Sequence, residues 1–302
     1  MTDSGIVSTD SPGSDVATAN TRPHGRINRA VLLVPVLAFL GLFFLYPIFT
    51  MTVKSITDIP PGASAWTNFE WFFSDRTNMR IYWNTLVTAF KVTVFCVLVA
   101  YPMAYSMMRA RGVWKLAILG VVLLPFWTSA VVRNFAWVVI LQDRGVLNYV
   151  LSLFGAPPVS ILGTATAVTI GMAQVLLPFA VLPIYTSMQK IDSSLMRAAL
   201  MLGARPVVAF FTVFLPLSMT GAFAGAVLVF VLSLGFYVTP AILGSPRDAM
   251  LPQIIYAQVT ELLAWGRSSA MAVVLLVTTV GILAGGALMT RTLRNRIAAK
   301  EQ

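Results

Sequence analysis

The 302-residue sequence is 58% hydrophobic and only 11% charged, with a mean hydropathy of +0.82. A soluble domain carries roughly a quarter charged residues, so this chain lacks the charge to cover a water-facing surface. The formal net charge is +10, but Lys and Arg gather beside apolar blocks and report membrane orientation rather than nucleic-acid binding.

Residues 1–29 hold too few apolar groups to fold alone and read as a disordered tail. They begin acidic and contain no hydrophobic region, so by themselves they are not a signal peptide. His24, the single histidine, falls in this tail and reads as solvated. Beyond it the apolar residues come in blocks of about 20, the length at which a helix crosses a hydrocarbon core. Such continuous runs, without ten-residue alternation, select helices over a barrel.

Six spans follow in order: 30–49, 81–108, 116–141, 165–188, a fifth starting near Pro216, and 269–290. Proline is tolerated in a first helical turn, which places that start. The apolar run from Gly203 to Gly244 is too long for one span. Residues 291–302 form a basic tail. Cys96, the single cysteine, lies within a span and excludes an internal disulfide or a cysteine-rich metal site.

Orientation follows from basic residues in alternate loops. One side holds Arg22, Arg26, Arg29, Arg109, Arg111, Lys115, Lys190, Arg197, Arg205, Arg291, Arg294, Arg296 and Lys300. The other holds Lys54, Arg76, Arg80, Arg144, Arg247 and Arg267. The richer side is cytoplasmic and carries both termini, as an even number of spans requires.

The loop after span 4, "DSSLMRAALMLGARP" (Asp192–Pro206), is unexpectedly apolar for a cytoplasmic connection. Asp192 or Ser193 supplies a helix start, and Gly203 followed by Pro206 a stop. Between them Leu195, Ala198, Ala199 and Leu202 recur at helical spacing and predict one apolar face, with Arg197 as the polar exception. A helix over about 193–204 is too short to span. Two readings stay open on the residues alone: an interfacial helix on the membrane, or a helix docked in a groove of a cytoplasmic partner.

The segment "RAALMLGA" followed by "FLPLSMTGAFAG" resembles the EAA loop of ABC-importer permeases. Ala198 and Ala199 match the two alanines, Gly203 the glycine, and Leu215–Pro216 the later apolar–proline pair. "LLPFWTSAVVRNFAWVVILQDRGVLNYVL" (Leu123–Leu151), "LLPFAVLPIYTSMQKID" and "GFYVTPAILG" resemble permeases of spermidine/putrescine importers. The resemblance implies the type I importer permease fold in a bacterial inner membrane. It also implies a coupling helix that docks on an ATP-binding subunit. The expected assembly holds a second permease subunit, different from this one, two ATP-binding subunits and a periplasmic or lipid-anchored solute-binding protein. ATP and magnesium are expected in the ATP-binding subunits, with no cofactor on this chain. Where the family has a glutamate, this sequence has Arg197.

Asp and Glu are absent from all six predicted spans, so a polyamine would meet aromatic faces rather than carboxylates here. Phe126, Trp127, Trp137, Phe236 and Tyr237 are candidates, Trp127 foremost, and Glu261 is the remaining acid near the outer mouth. Arg133 fits an outer gate or the interface, and Gln174 a substrate contact or helix packing. Lys91 reads as a lysine that snorkels outward or as a cavity-facing charge. Amino acids, opines or other small solutes remain alternative cargoes.

Two further classes fit less well. A self-sufficient secondary transporter usually carries midplane ionisable residues or an inverted repeat. An intramembrane enzyme needs a nucleophile–base pair, metal ligands or a carboxylate dyad. Of these the sequence shows only Lys91 as a midplane ionisable residue, and it lacks the G-x-x-x-x-G-K-[ST] phosphate loop.

Overall fold

A computed structural model describes residues 29–298, with side chains described for 34–288. The tail expected over 1–29 lies outside the described residues except for Arg29. Among the described residues the chain is helical throughout, without strands.

The first span consists of α1 (Arg29–Leu40), a π-helical turn (Gly41–Leu45) and α2 (Tyr46–Thr57). Its apolar part, Val34–Thr57, runs eight residues beyond the expected end at 49. The π-turn ends two residues before Pro47. A widened turn gives room where a proline can donate no hydrogen bond and crowds the preceding turn.

From Phe49 onward the chain forms a second compact unit. It continues with α3 (Thr67–Ser74) and α4 (Arg76–Arg109). The latter has 34 residues, about 51 Å at 1.5 Å per residue, so it exceeds the hydrocarbon core of about 30 Å. Asp75 caps its start by accepting the Thr77 amide at 2.7 Å.

The third span is not the single helix expected over 116–141. It is α5 (Val113–Leu123), a 3-10 turn (Leu124–Trp127) and α6 (Ala130–Leu141), with the two arms bent by 105°. Pro125 breaks the α-helical ladder, and Thr128 and Ser129 take extended backbone angles. The second arm continues into α7 (Val146–Leu153). Among the described residues five helices are long and apolar enough to cross a membrane, six if this bent pair counts as one span.

The fourth span is α8 (Ala165–Gln189), and the short α9 (Ser193–Met201) follows it. The fifth begins at Pro206 rather than near Pro216. It contains α10 (Pro206–Ala209), a second π-turn (Phe210–Phe214) and α11 (Leu215–Leu234). As in the first span, the π-turn ends two residues before the proline, so Pro216 is carried within the span. The run to Gly244 is divided at Gly235 into α11 and α12 (Val238–Leu243). Then come α13 (Leu251–Thr260) and α14 (Trp265–Ala298). Residues 291–298, expected as a basic tail, continue the last helix.

The body is built on α4, α8 and α11, which pack on one another. Lipid supplies no hydrophobic drive between helices, so contact depends on close backbone approach by small residues. Ala89, Cys96, Ala100 and Ala104 line the fully buried side of α4. Gly221 and Gly225 face Pro183–Ser187 and Ala180 of α8. A smaller cluster around Phe72, Leu251 and Met271 joins α3, α13 and α14 to the start of α4.

Candidate functional site

Two regions collect the residues singled out in the sequence. The first is α9. Asp192 accepts the Ser194 amide at 2.8 Å and so satisfies one orphan donor of the first turn. Hydrogen bonding from Ser194, and then the Arg197 charge, hold the Asp192 carboxyl below its ordinary value of 3.8. At the other end Gly203 has φ +87°. Its amide reaches Leu200 O at 3.0 Å, and the Ala204 amide reaches Ala199 O at 3.1 Å. This double closure needs a left-handed residue, the conformation glycine adopts freely.

Of the expected apolar face, Leu195, Ala198 and Leu202 are exposed and Ala199 is half-buried. Met196 packs against the core of the body, and Ala199 is half-buried beside it, three residues on. Successive residues turn by about 100°, so Arg197, Ala198 and Met201 fall on the opposite side, while Leu202, the C-cap, falls at the flank. Met201 and Leu202 are 87% and 88% exposed. Leu195, about half exposed, lies at the flank. Arg197 stands one turn before Met201 on the outward face and is its one charged side chain. Its guanidinium donates to Ser193 Oγ at 2.9 Å.

Beneath α9 lies an aromatic cluster that the sequence reading missed. The helix packs on the π-turn of the fifth span. Phe210 and Phe214 stack there at 5.5 Å, and Tyr105 of α4 meets both edge-on. Tyr101 donates to or accepts from Ser218 Oγ at 2.6 Å. Leu215 and Pro216 directly follow the π-turn. The signal was present in "YPMAYSMMR" and "FFTVF", where aromatic residues recur four apart on their helices.

The second region is the bend of the third span. Phe126 packs edge-on against Phe179 at 5.4 Å, while Trp127 is 78% exposed. Arg133 reaches back across the break, donating to Pro125 O at 2.6 Å and to Thr128 Oγ1 at 3.2 Å. It thereby satisfies a carbonyl that the interrupted ladder leaves over. Gln174 accepts the Trp137 indole N–H at 2.6 Å, which ties α8 to α6. Phe236 packs on the main core, and Tyr237 lies against Tyr256 at 4.9 Å. Glu261 is exposed at the end of α13. These residues form separate pairs rather than one lined pocket.

Lys91 is exposed, 15 positions after the first residue of α4, not ten from a start at 81. It borders a recess of about 420 Å³ with Phe90, Val94 and Thr169. Ala165 and Thr166, from the outer start of α8, complete the rim. That neighbourhood places the lysine beside the first turn of α8.

Residues 96–295 match the family described as binding-protein-dependent transport system inner membrane component. The chain belongs to this family. The permease is 31% identical over 254 residues to the spermidine/putrescine transport system permease protein PotB of Haemophilus influenzae, covering 82% of this chain and 89% of that one. It is 29% identical over 203 residues to PotB of Escherichia coli, with 67% and 74% covered. A chain in the crystal structure of a bacterial alginate ABC transporter superposes with a TM-score of 0.71 at 18% identity. That match spans 88% of this permease and 94% of the other chain, and it fixes the fold as that of a type I importer permease. The protein is thus a multi-pass inner-membrane transport subunit.

Proposed function

We propose that this permease serves an ATP-driven importer for polyamines, spermidine or putrescine, with α9 as its contact to an ATP-binding subunit. The outward face of α9 carries this reading. Met201 and Leu202 stand exposed on a helix too short to cross the bilayer, and both its ends are fixed by built-in caps. The polyamine cargo is supported by the relatives named for spermidine and putrescine transport. ATP and magnesium belong to two partner subunits, a second permease completes the path, and a solute-binding protein delivers the cargo.

Acidic residues are missing from the spans of this chain, so cation recognition in its half of the path falls to aromatic faces. Trp127, exposed at the bend, and the Tyr237–Tyr256 pair are the contributors from this side. Carboxylates for the ammonium groups come from the second permease.

The test is purification from the native membrane with identification of every co-purifying chain, followed by uptake in vesicles. ATP-binding subunits and a solute-binding protein that takes spermidine or putrescine are expected. Recovery of the chain alone, with uptake that needs no ATP, overturns the proposal. Binding of an amino acid in preference to polyamines by the partner binding protein overturns the cargo.

A further inference from the structure

The outward face of α9 carries a charge problem. Arg197 and Met201 are one helical turn apart on the same side, so any surface that covers Met201 also covers the guanidinium. Arg197 is hydrogen-bonded to Ser193 Oγ, a neutral group, and makes no ion pair with a carboxylate among the described residues. Asp192 is the single acid in the segment from Lys190 to Arg205; it feels the Arg197 charge but makes no ion pair with it, and its carboxylate accepts the Ser194 amide as the cap. Lys190, Arg197 and Arg205 leave this segment net basic.

A buried guanidinium without a partner costs far more than the apolar contacts around it return, unless a carboxylate meets it. We infer that the ATP-binding subunit receiving α9 presents an apolar groove with a carboxylate in its floor, placed to pair with Arg197. The inference rests on the coupling role proposed above and adds the chemistry of the partner surface. An anionic lipid headgroup would satisfy the same charge. However, the guanidinium lies on the outward face one turn from the exposed Met201, away from the side of α9 that rests on the body, so a surface that takes the apolar side chain must answer the charge as well.

The test measures binding of the co-purified ATP-binding subunits to the full permease pair in nanodiscs. Wild type is compared with Arg197→Lys, Arg197→Ala and Arg197→Glu, in neutral and in anionic lipid. A carboxylate in the groove predicts affinity falling in the order Arg, Lys, Ala, Glu. Lysine should stay within about tenfold of wild type and glutamate should lose about 100-fold or more. If alanine binds as well as arginine or better, no carboxylate faces the position and the inference fails. If the losses appear only in anionic lipid, the guanidinium belongs to the membrane and the inference also fails. Absence of any binding to the wild-type permease pair would instead overturn the coupling role itself.

Discussion

Gly221→Ala probes the contact between α8 and α11 on which the position of α9 depends. A Cβ built at Gly221 would lie 2.7 Å from Pro183 O and 3.0 Å from Ser187 Oγ, and closer still to Ser187 Cβ. Ordinary carbon contacts need about 3.5–4.0 Å, so the two helices must part by roughly 1 Å. Overpacking of this kind costs about 1–3 kcal/mol, while replacing a helical glycine by alanine returns about 1 kcal/mol. The net expectation is a loss of up to about 2 kcal/mol. The Ser187–Thr220 hydroxyl contact at 3.1 Å would be displaced as well. Gly120→Ala is the matched control, since nothing lies within 4 Å of its Cβ and only the helical gain applies. Thermal unfolding in detergent should place Gly221→Ala below wild type and Gly120→Ala at or above it, with Ser187→Gly partly rescuing the first. If Gly221→Ala melts as high as the Gly120 control, the close-approach argument is wrong.

Three further perturbations follow from the same structure. Gly203→Ala forces an alanine into φ +87° at the end of α9, a strain of about 1–2 kcal/mol. Uptake should fall while membrane insertion, read by accessibility labelling, stays intact; unchanged uptake would count against the coupling role. Arg133→Ala strips the clamp from Pro125 O and Thr128 and should lower stability by about 1–2 kcal/mol. Arg133→Lys should recover part of that, and identical melting of all three proteins would contradict the clamp. The start of α9 should also respond to acid. Because the Asp192 carboxyl is held below its ordinary 3.8 in the folded state, its contribution is complete above that value and is lost as pH falls through the depressed one. Exchange of the Ser194 amide should therefore show acid-dependent loss of protection beyond intrinsic exchange, and Asp192→Asn should abolish that dependence.

Much of this molecule was written in local sequence. Composition and block length determine a helical membrane protein, because lipid offers the backbone no partner and the apolar runs have the length of spans. The asymmetry of Lys and Arg sets the orientation, and Asp192 and Gly203 set the ends of α9, since capping is decided within a few residues. Tertiary structure decided what local pattern leaves ambiguous. The "PFWTS" segment reads as continuous apolar helix by hydropathy. The bend of 105° at this segment follows from a proline whose leftover carbonyl Arg133 can reach only once the arms are folded apart. Pro216 reads as a helix start, yet a π-turn carries it inside the span. On α9, hydrophobic spacing marks residues that favour burial without saying which side finds the body. Met196 took that side, and so Arg197 was turned outward between Ala198 and Met201.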